Sequence, residues 1–324
     1  MNQFDRRGFL DASLKASLGV ALAGALSPQA SQGEESKSAP ARPIGRAKVG
    51  IFTKSFQDRS IEDVCRIFKG IGVDGLDLTV RKGGHIDPKD VATELPKAKQ
   101  AAAAAGVEIL FLTTNITEPD ADAERVLATA AEQGIGRVKI GYYSYDQKKF
   151  GTLKQQIADV RARVEKVARL GQKHKVLPCI HIHSDAMIPS HGTLLYELIR
   201  DFSPGEVGAY ADTLHMAKEG GGEGWRQGLD LLGPWLALCS IKNCVWVKKD
   251  RDMHGQQQWG TVTCPVADGI CPIPEFLEAL RLLNYSGPFS LHSEYKGKGS
   301  WQDLDTDGCI RQTAEDFAYV KPLL

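Results

Sequence analysis

Val207-Gly208-Ala209-Tyr210-Ala211-Asp212-Thr213-Leu214-His215-Met216 is the stretch from which the fold can be read. A short apolar run ends on an acid and, three residues later, a histidine; the Gly-rich turn Glu219-Gly220-Gly221-Gly222 follows. This is a strand that runs out into chemistry, because an Asp and a His at such a place bind a metal or move protons. Two other apolar runs end the same way. One closes on Cys179-Ile180-His181-Ile182-His183-Ser184-Asp185 and the other on Leu291-His292-Ser293-Glu294-Tyr295. A lone His at a strand end is more often a hydrogen-bonded core residue than a ligand. Three such ends in step with one repeating pattern point to a shared site.

Working outward, the pattern is strand then helix, repeated. Strands are expected at residues 48–52, 73–78, 107–112, 137–143, 176–181, 207–211, 235–241 and 289–291. Between them lie helical segments, the first capped by Ser60 with Ile61, Val64, Cys65 and Phe68 on one face. A long loop is expected after the seventh strand. Eight such units predict an α/β protein with a closed parallel sheet, a single (β/α)8 TIM barrel over residues 47–324. An open doubly wound sheet is the main alternative, but no Gly-rich phosphate fingerprint follows the first strand. In a barrel the chemistry lies at the C-terminal ends of the strands, where the three stretches fall.

The N-terminus is set apart by composition. Arg6-Arg7-Gly8-Phe9-Leu10 precedes a mildly apolar, Ala- and Gly-rich run from Leu14 to Leu26, too short to span a bilayer. Residues 1–30 read as a twin-arginine export signal, implying a periplasmic protein, and residues 31–46 as a disordered linker. No cysteine follows the signal, so no lipid anchor is expected. The 324-residue chain has 40 basic and 40 acidic residues and no basic stripe, which argues against a nucleic-acid partner. Seven cysteines show no zinc-finger spacing. Cys179 and Cys239 read as core residues, and Cys264 and Cys271 as the candidates for a disulfide.

Barrel closure would gather Asp212, Glu294 and one of His181 or His183, only one of the two histidines being expected to turn inward. That mixed oxygen and nitrogen set suits one divalent ion of Mn, Zn, Fe or Co better than Ca. Such an ion would polarise a carbonyl beside the proton to be removed, with Glu294 or a nearby His as base. His85, after two glycines, is placed to reach over the mouth as a substrate contact, and His292 shares a face with Glu294. Lys139 and Lys242 sit in or at the end of apolar strands, where an ammonium needs a partner: substrate oxygens, an enolate or a structural carboxylate. Asp212 also reads as a helix N-cap or loop anchor, and Glu294 as a rim salt-bridge partner.

Asp212-Thr213-Leu214-His215 after the sixth strand and Ser293-Glu294-Tyr295 after the eighth resemble the xylose isomerase-like TIM barrels. That family includes hydroxypyruvate isomerases, D-tagatose 3-epimerase-type enzymes and, more distantly, endonuclease IV; the resemblance covers residues 47–324. It implies one divalent ion held by Glu, Asp, His and Glu, with two glutamates moving a proton beside a ketose carbonyl. Carried over, Asp212 and Glu294 are ligands and His215 is the substrate contact. Two positions depart: His181-Ile182-His183 stands where the family has Glu before Asn-His, and Ser240-Ile241-Lys242-Asn243 where it has His before Ile-Lys-Asp. One base and one ligand are therefore missing, and His181 is the candidate replacement ligand.

The expected function is metal-dependent isomerase or epimerase chemistry on a sugar or keto-sugar, with a small-molecule carbohydrate as partner. The catalytic candidates are Glu294, His215 and Lys242; His85, Lys139, His183 and His292 are expected to bind substrate. Lyase or hydrolase action on keto-glycosides and a carbohydrate-binding barrel without catalysis are the alternatives. Barrels of this kind often associate as homo-oligomers. A nuclease would need many more metal ligands than this chain has.

Overall fold

Val49-Gly50-Ile51-Phe52 is buried at every position, and so are most residues of the strands that follow, as expected where helices cover a sheet on its outer face and side chains fill it within. The computed structural model describes residues 47–324; the proposed export signal and linker fall outside the described residues. Eight parallel strands close into one barrel: β1 (Val49–Phe52), β2 (Gly75–Thr79), β3 (Glu108–Thr113), β4 (Arg137–Lys139), β5 (Leu177–His181), β6 (Gly208–Asp212), β7 (Leu236–Ile241) and β8 (Phe289–Leu291). Closure comes from β1 pairing with both β2 and β8, Ile51 lying opposite Leu76 and Leu291. Tight inter-strand packing demands glycine at places. A Cβ on Gly75 would stand 2.2 Å from the Glu108 carbonyl oxygen.

The outer layer is built by helices α1 (Ile61–Ile71), α2 (Val91–Ala105), α3 (Ala121–Glu132), α4 (Leu153–His174), α5 (Gly192–Ile199), α6 (Thr213–Gly220), α7 (Gly224–Leu232), α8 (Ile273–Leu282) and α9 (Thr306–Val320). Ser60 Oγ caps α1 by accepting from the Asp63 amide, and Gly72 ends it with φ 95°. None of these helices is long and apolar enough to cross a membrane. Alternate residues of each strand point inward. Phe111, Cys179, Tyr210 and Leu238 form a small cluster apart from the main core and make an apolar floor. Above it the inward positions turn polar.

Four expectations need correction. The fourth strand ends at Lys139, and Tyr143–Ser144 instead pairs antiparallel with Met187–Ile188. The loop expected after β7 is a two-stranded ribbon, Asn243–Arg251 against Gln257–Cys264. Both His181 and His183 face the barrel mouth, because residues two apart share a side of an extended chain. Cys264 and Cys271 form no disulfide: all seven cysteines are free, Cys264 pairs in the ribbon with Asn243, and the Cys271 thiol meets that of Cys244.

Candidate active site

At the C-terminal mouth, an inner chamber of about 100 Å³ is lined by residues of nearly every strand end, among them Lys139, His181, His183, Tyr210, Lys242, His292 and Glu294. It opens into a vestibule of about 390 Å³ that shares Lys54, His183, Lys242 and Glu294 and is walled further out by Thr261 and Thr263 of the ribbon. Phe52, Lys54, Arg81 and Tyr142 also line the chamber, and sequence reading had not singled them out.

Lys242 is the hub. Its Nζ lies 3.3 Å from Asp212 Oδ2, 3.2 Å from Glu294 Oε2 and 2.9 Å from His215 Nε2. Burial opposes its charge, but the two carboxylates outweigh burial and hold its pKa above the usual lysine range. Its neighbours respond in kind. Burial works against ionised Asp212 and Glu294, yet the Lys242 ammonium keeps both well below the ordinary carboxylate range; Lys54, 2.6 Å from Glu294, adds to this. Burial and then Lys242 push the pKa of His215 well below normal, so its ring is neutral.

These contacts fix the tautomers. An ammonium only donates, so His215 Nε2 accepts from Lys242 and its Nδ1–H donates to Ser184 Oγ at 2.9 Å. His181 is driven by burial down to about 3 and is neutral. Its Nε2–H donates to Asp212 Oδ2 at 3.0 Å, leaving Nδ1 to accept from Tyr142 Oη at 2.9 Å. His183 Nδ1–H donates to the Ser184 carbonyl, which leaves its Nε2 lone pair free to take a proton. His292 stacks on Phe52 and meets Tyr210 Oη through Nε2 at 3.0 Å. Burial lowers its pKa, but Asp77 and Glu294 raise it more, to a value above normal.

Asp212 has two duties, one oxygen each. Oδ1 accepts the His215 amide and caps α6, while Oδ2 receives His181, Ser240 and Lys242. The N-cap reading of this residue is correct, and its second oxygen joins the polar cluster at the strand ends. His85 does not reach the chamber. Its ring nitrogens meet Thr79 Oγ1 and the Phe56 carbonyl, each at 3.2 Å, because the turn at Gly84 folds the chain back; Arg81 of the same loop lines the chamber instead. Beneath the site, Asp77 accepts from Thr113 at 2.5 Å and Ser290 at 2.9 Å. An acid inside the apolar run Leu76-Asp77-Leu78 is the kind of signal that singled out Lys139, and it was there to be read.

The residues present do not fit a divalent ion. Among the described residues no three His, Cys, Asp or Glu side chains form a group able to hold one. Both nitrogens of His181 are committed to protein partners, Ser240 Oγ donates to Asp212, and the Lys242 ammonium stands between the two carboxylates that would be ligands. A positive charge is already built into the place where a metal would sit.

The model of the xylose isomerase-like TIM barrels matches residues 65–316 of the chain. No curated protein matches the sequence. Among solved structures, the chain is similar to D-psicose 3-epimerase from Clostridium cellulolyticum H10 (16% identity, TM-score 0.62, covering 86% of this chain and 99% of that one). It is equally similar to 3-keto-D-glucoside 4-epimerase from E. coli (16% identity, TM-score 0.62, 86% and 100% covered). A xylose isomerase-like TIM barrel protein from Mycobacterium smegmatis, solved in complex with magnesium, matches at 14% identity and TM-score 0.57, with 86% and 98% covered.

Proposed function

The chain belongs to the xylose isomerase-like TIM barrel family, and from that premise we propose that it is a sugar isomerase or epimerase that moves a proton on the carbon beside a carbonyl. The observation that carries this reading is the Lys242 ammonium set between Asp212 and Glu294 in a buried chamber of polar residues. A substrate carbonyl oxygen entering the chamber takes the place of Glu294 on Lys242 and is polarised by it. Glu294, released from that contact, accepts the neighbouring C–H proton, and the negative charge that moves to the oxygen is held by Lys242. Glu294 returns the proton it took, to the adjacent carbon, while the free Nε2 of His183 in the same chamber takes the proton of the neighbouring hydroxyl and passes it to the carbonyl oxygen. The family's divalent metal has no part in these steps, since its ligand set is not assembled here.

Lys54 and Arg81 at the rim, with His292 and Lys139 deeper in, offer contacts for sugar hydroxyls. The vestibule favours a second reading, elimination from a keto-glycoside, because it provides room for a group attached to the reacting ring. The 3-keto-D-glucoside 4-epimerase among the similar structures supports a glycosidic substrate. Export by the twin-arginine route belongs to the same proposal and is supported by Arg6-Arg7 and the short apolar run after it. A reporter fused to residues 1–46 should reach the periplasm and stay cytoplasmic once both arginines become lysine; export of the double variant sinks the assignment.

The test of the reaction is solvent exchange. Ketoses and keto-glycosides incubated in D2O with the protein and no added metal should gain deuterium beside the carbonyl, and Glu294→Gln should stop it. Saturable sugar binding without exchange from any of them would leave a carbohydrate-binding barrel.

A further inference from the structure

Lys139 is the one buried cation of the chamber without a bonded partner. The residue is 1% exposed, at the end of β4, and its Nζ has no hydrogen-bond acceptor among the described residues. The Nζ stands over the face of the Tyr142 ring, 3.5 Å from the centroid. Lys242, by contrast, is tied to two carboxylates and a histidine. The charged groups around Lys139 are Arg81 and Lys242, which repel its proton, and Asp77 and Glu294, which attract it. Burial dominates, Arg81 assists, and the pKa falls to about 7. At neutral pH a large share of this side chain is therefore free amine, the form that is nucleophilic.

We propose that Lys139 is a carbonyl-capturing nucleophile, whose unpartnered amine in the inner chamber condenses with the aldehyde or ketone carbon of a hydroxy-carbonyl substrate. This rests on the reading that Glu294 moves a proton beside a carbonyl, and it puts an iminium in place of the oxygen held by Lys242 as the electron sink. The Nζ lone pair forms the N–C bond and the C=O π pair moves to oxygen. That oxygen gathers two protons and leaves as water, while nitrogen gives up both its hydrogens to become an imine. One added proton makes the imine cationic, and the adjacent C–H bond becomes acidic; Glu294 removes that proton to give an enamine. Reprotonation and attack by water reverse the sequence and return the amine. No oxidant or metal is consumed. The iminium supplies an electron sink at a site whose side chains do not assemble around an ion.

The test uses the full chain and the smallest hydroxy-aldehyde, glycolaldehyde, with sodium cyanoborohydride at pH 7, followed by peptide mass mapping over time. Lys139 should be alkylated at least about tenfold faster than exposed lysines such as Lys97 and Lys173, since each unit of lowered pKa gives up to tenfold more free amine at this pH. Lys139→Arg should lose that label alone, keep its far-UV spectrum and lose deuterium exchange. Labelling of Lys139 no faster than Lys97 overturns the proposal. If exchange into a ketose then survives in Lys139→Arg, proton transfer proceeds without an imine. Fast labelling with no exchange from any sugar keeps the nucleophile and sinks the isomerase reading instead.

Discussion

Lys242 decides the electrostatics of the mouth by being one charge where several meet. Remove the ammonium and two carboxylates, buried Asp212 and half-buried Glu294, lose the cation that does most to keep them ionised, with only Lys54 left to Glu294. Lys242→Met should therefore cut exchange activity by about 10²–10³-fold, the usual cost of one preorganised charge in a closed site. It should also cost about 3 kcal/mol or more of stability, because breaking a buried pair strands the remaining charge. Urea unfolding beside single-turnover exchange checks both; an active, unaltered variant would remove Lys242 from the mechanism. Lys139 makes a pH prediction. Its folded pKa of about 7 lies below that of an unfolded lysine, so the unfolded chain binds more protons between pH 7 and the ordinary lysine range. Stability from this group should rise with pH across that window. Lys139→Met should remove the slope and gain about 4 kcal/mol near pH 7; urea midpoints measured from pH 6 to pH 10 that run parallel in the two proteins would contradict it. His181, His183, His215, Asp212 and Glu294 were legible one by one in the sequence. Their partners were not, since Tyr142 on His181 and Lys54 on Glu294 depend on where loops of distant strands come to rest.

The elements that carry the site show why. Once the strands are placed, the inward positions follow by counting in twos: Asp77 and Thr79 on β2, His181 and His183 at β5, Tyr210 and Asp212 on β6, Ser240 and Lys242 at β7, His292 and Glu294 beyond β8. The ribbon after β7 escaped because its outer half, Lys248-Lys249-Asp250-Arg251-Asp252, is charged on both faces and reads as loop. It is pinned at its base by Asn243. The side-chain amide donates to the carbonyls of Val266 at 2.8 Å and Cys271 at 3.3 Å, and its oxygen accepts the amides of Cys244 at 2.9 Å and Cys271 at 2.8 Å. Asn243→Ala orphans these buried groups and should cost about 2–3 kcal/mol, with faster hydrogen exchange confined to residues 243–271. Unchanged exchange there would mean the ribbon stands by strand pairing alone. Helix α6 is legible only at its cap, Asp212, because Thr213–Gly220 is eight residues long and runs into glycines.

At the scale of the molecule, closure of the barrel brings Glu294, Lys54 and Arg81 within reach of residues on β4 to β7 and leaves a lysine where the expected ion would stand. A ligand that binds only the folded state raises the unfolding temperature. Thermal unfolding should therefore be the same in EDTA and in millimolar Mn, Zn, Co or Mg, with no stoichiometric metal by elemental mass spectrometry. A metal-dependent shift lost in Asp212→Ala would restore the metal centre. By itself the sequence determined the periodic things: eight strand-helix units, the end of the barrel where polar side chains gather, and the acids and histidines that sit there. It could do so because strand and helix periods and polar residues at strand ends are local. The tertiary structure alone decided which of these side chains touch. The pairing of Lys242 with both carboxylates, the two committed nitrogens of His181, and the unpartnered amine of Lys139 depend on distances between residues far apart in the chain, set only when neighbouring strands pair and the barrel forms.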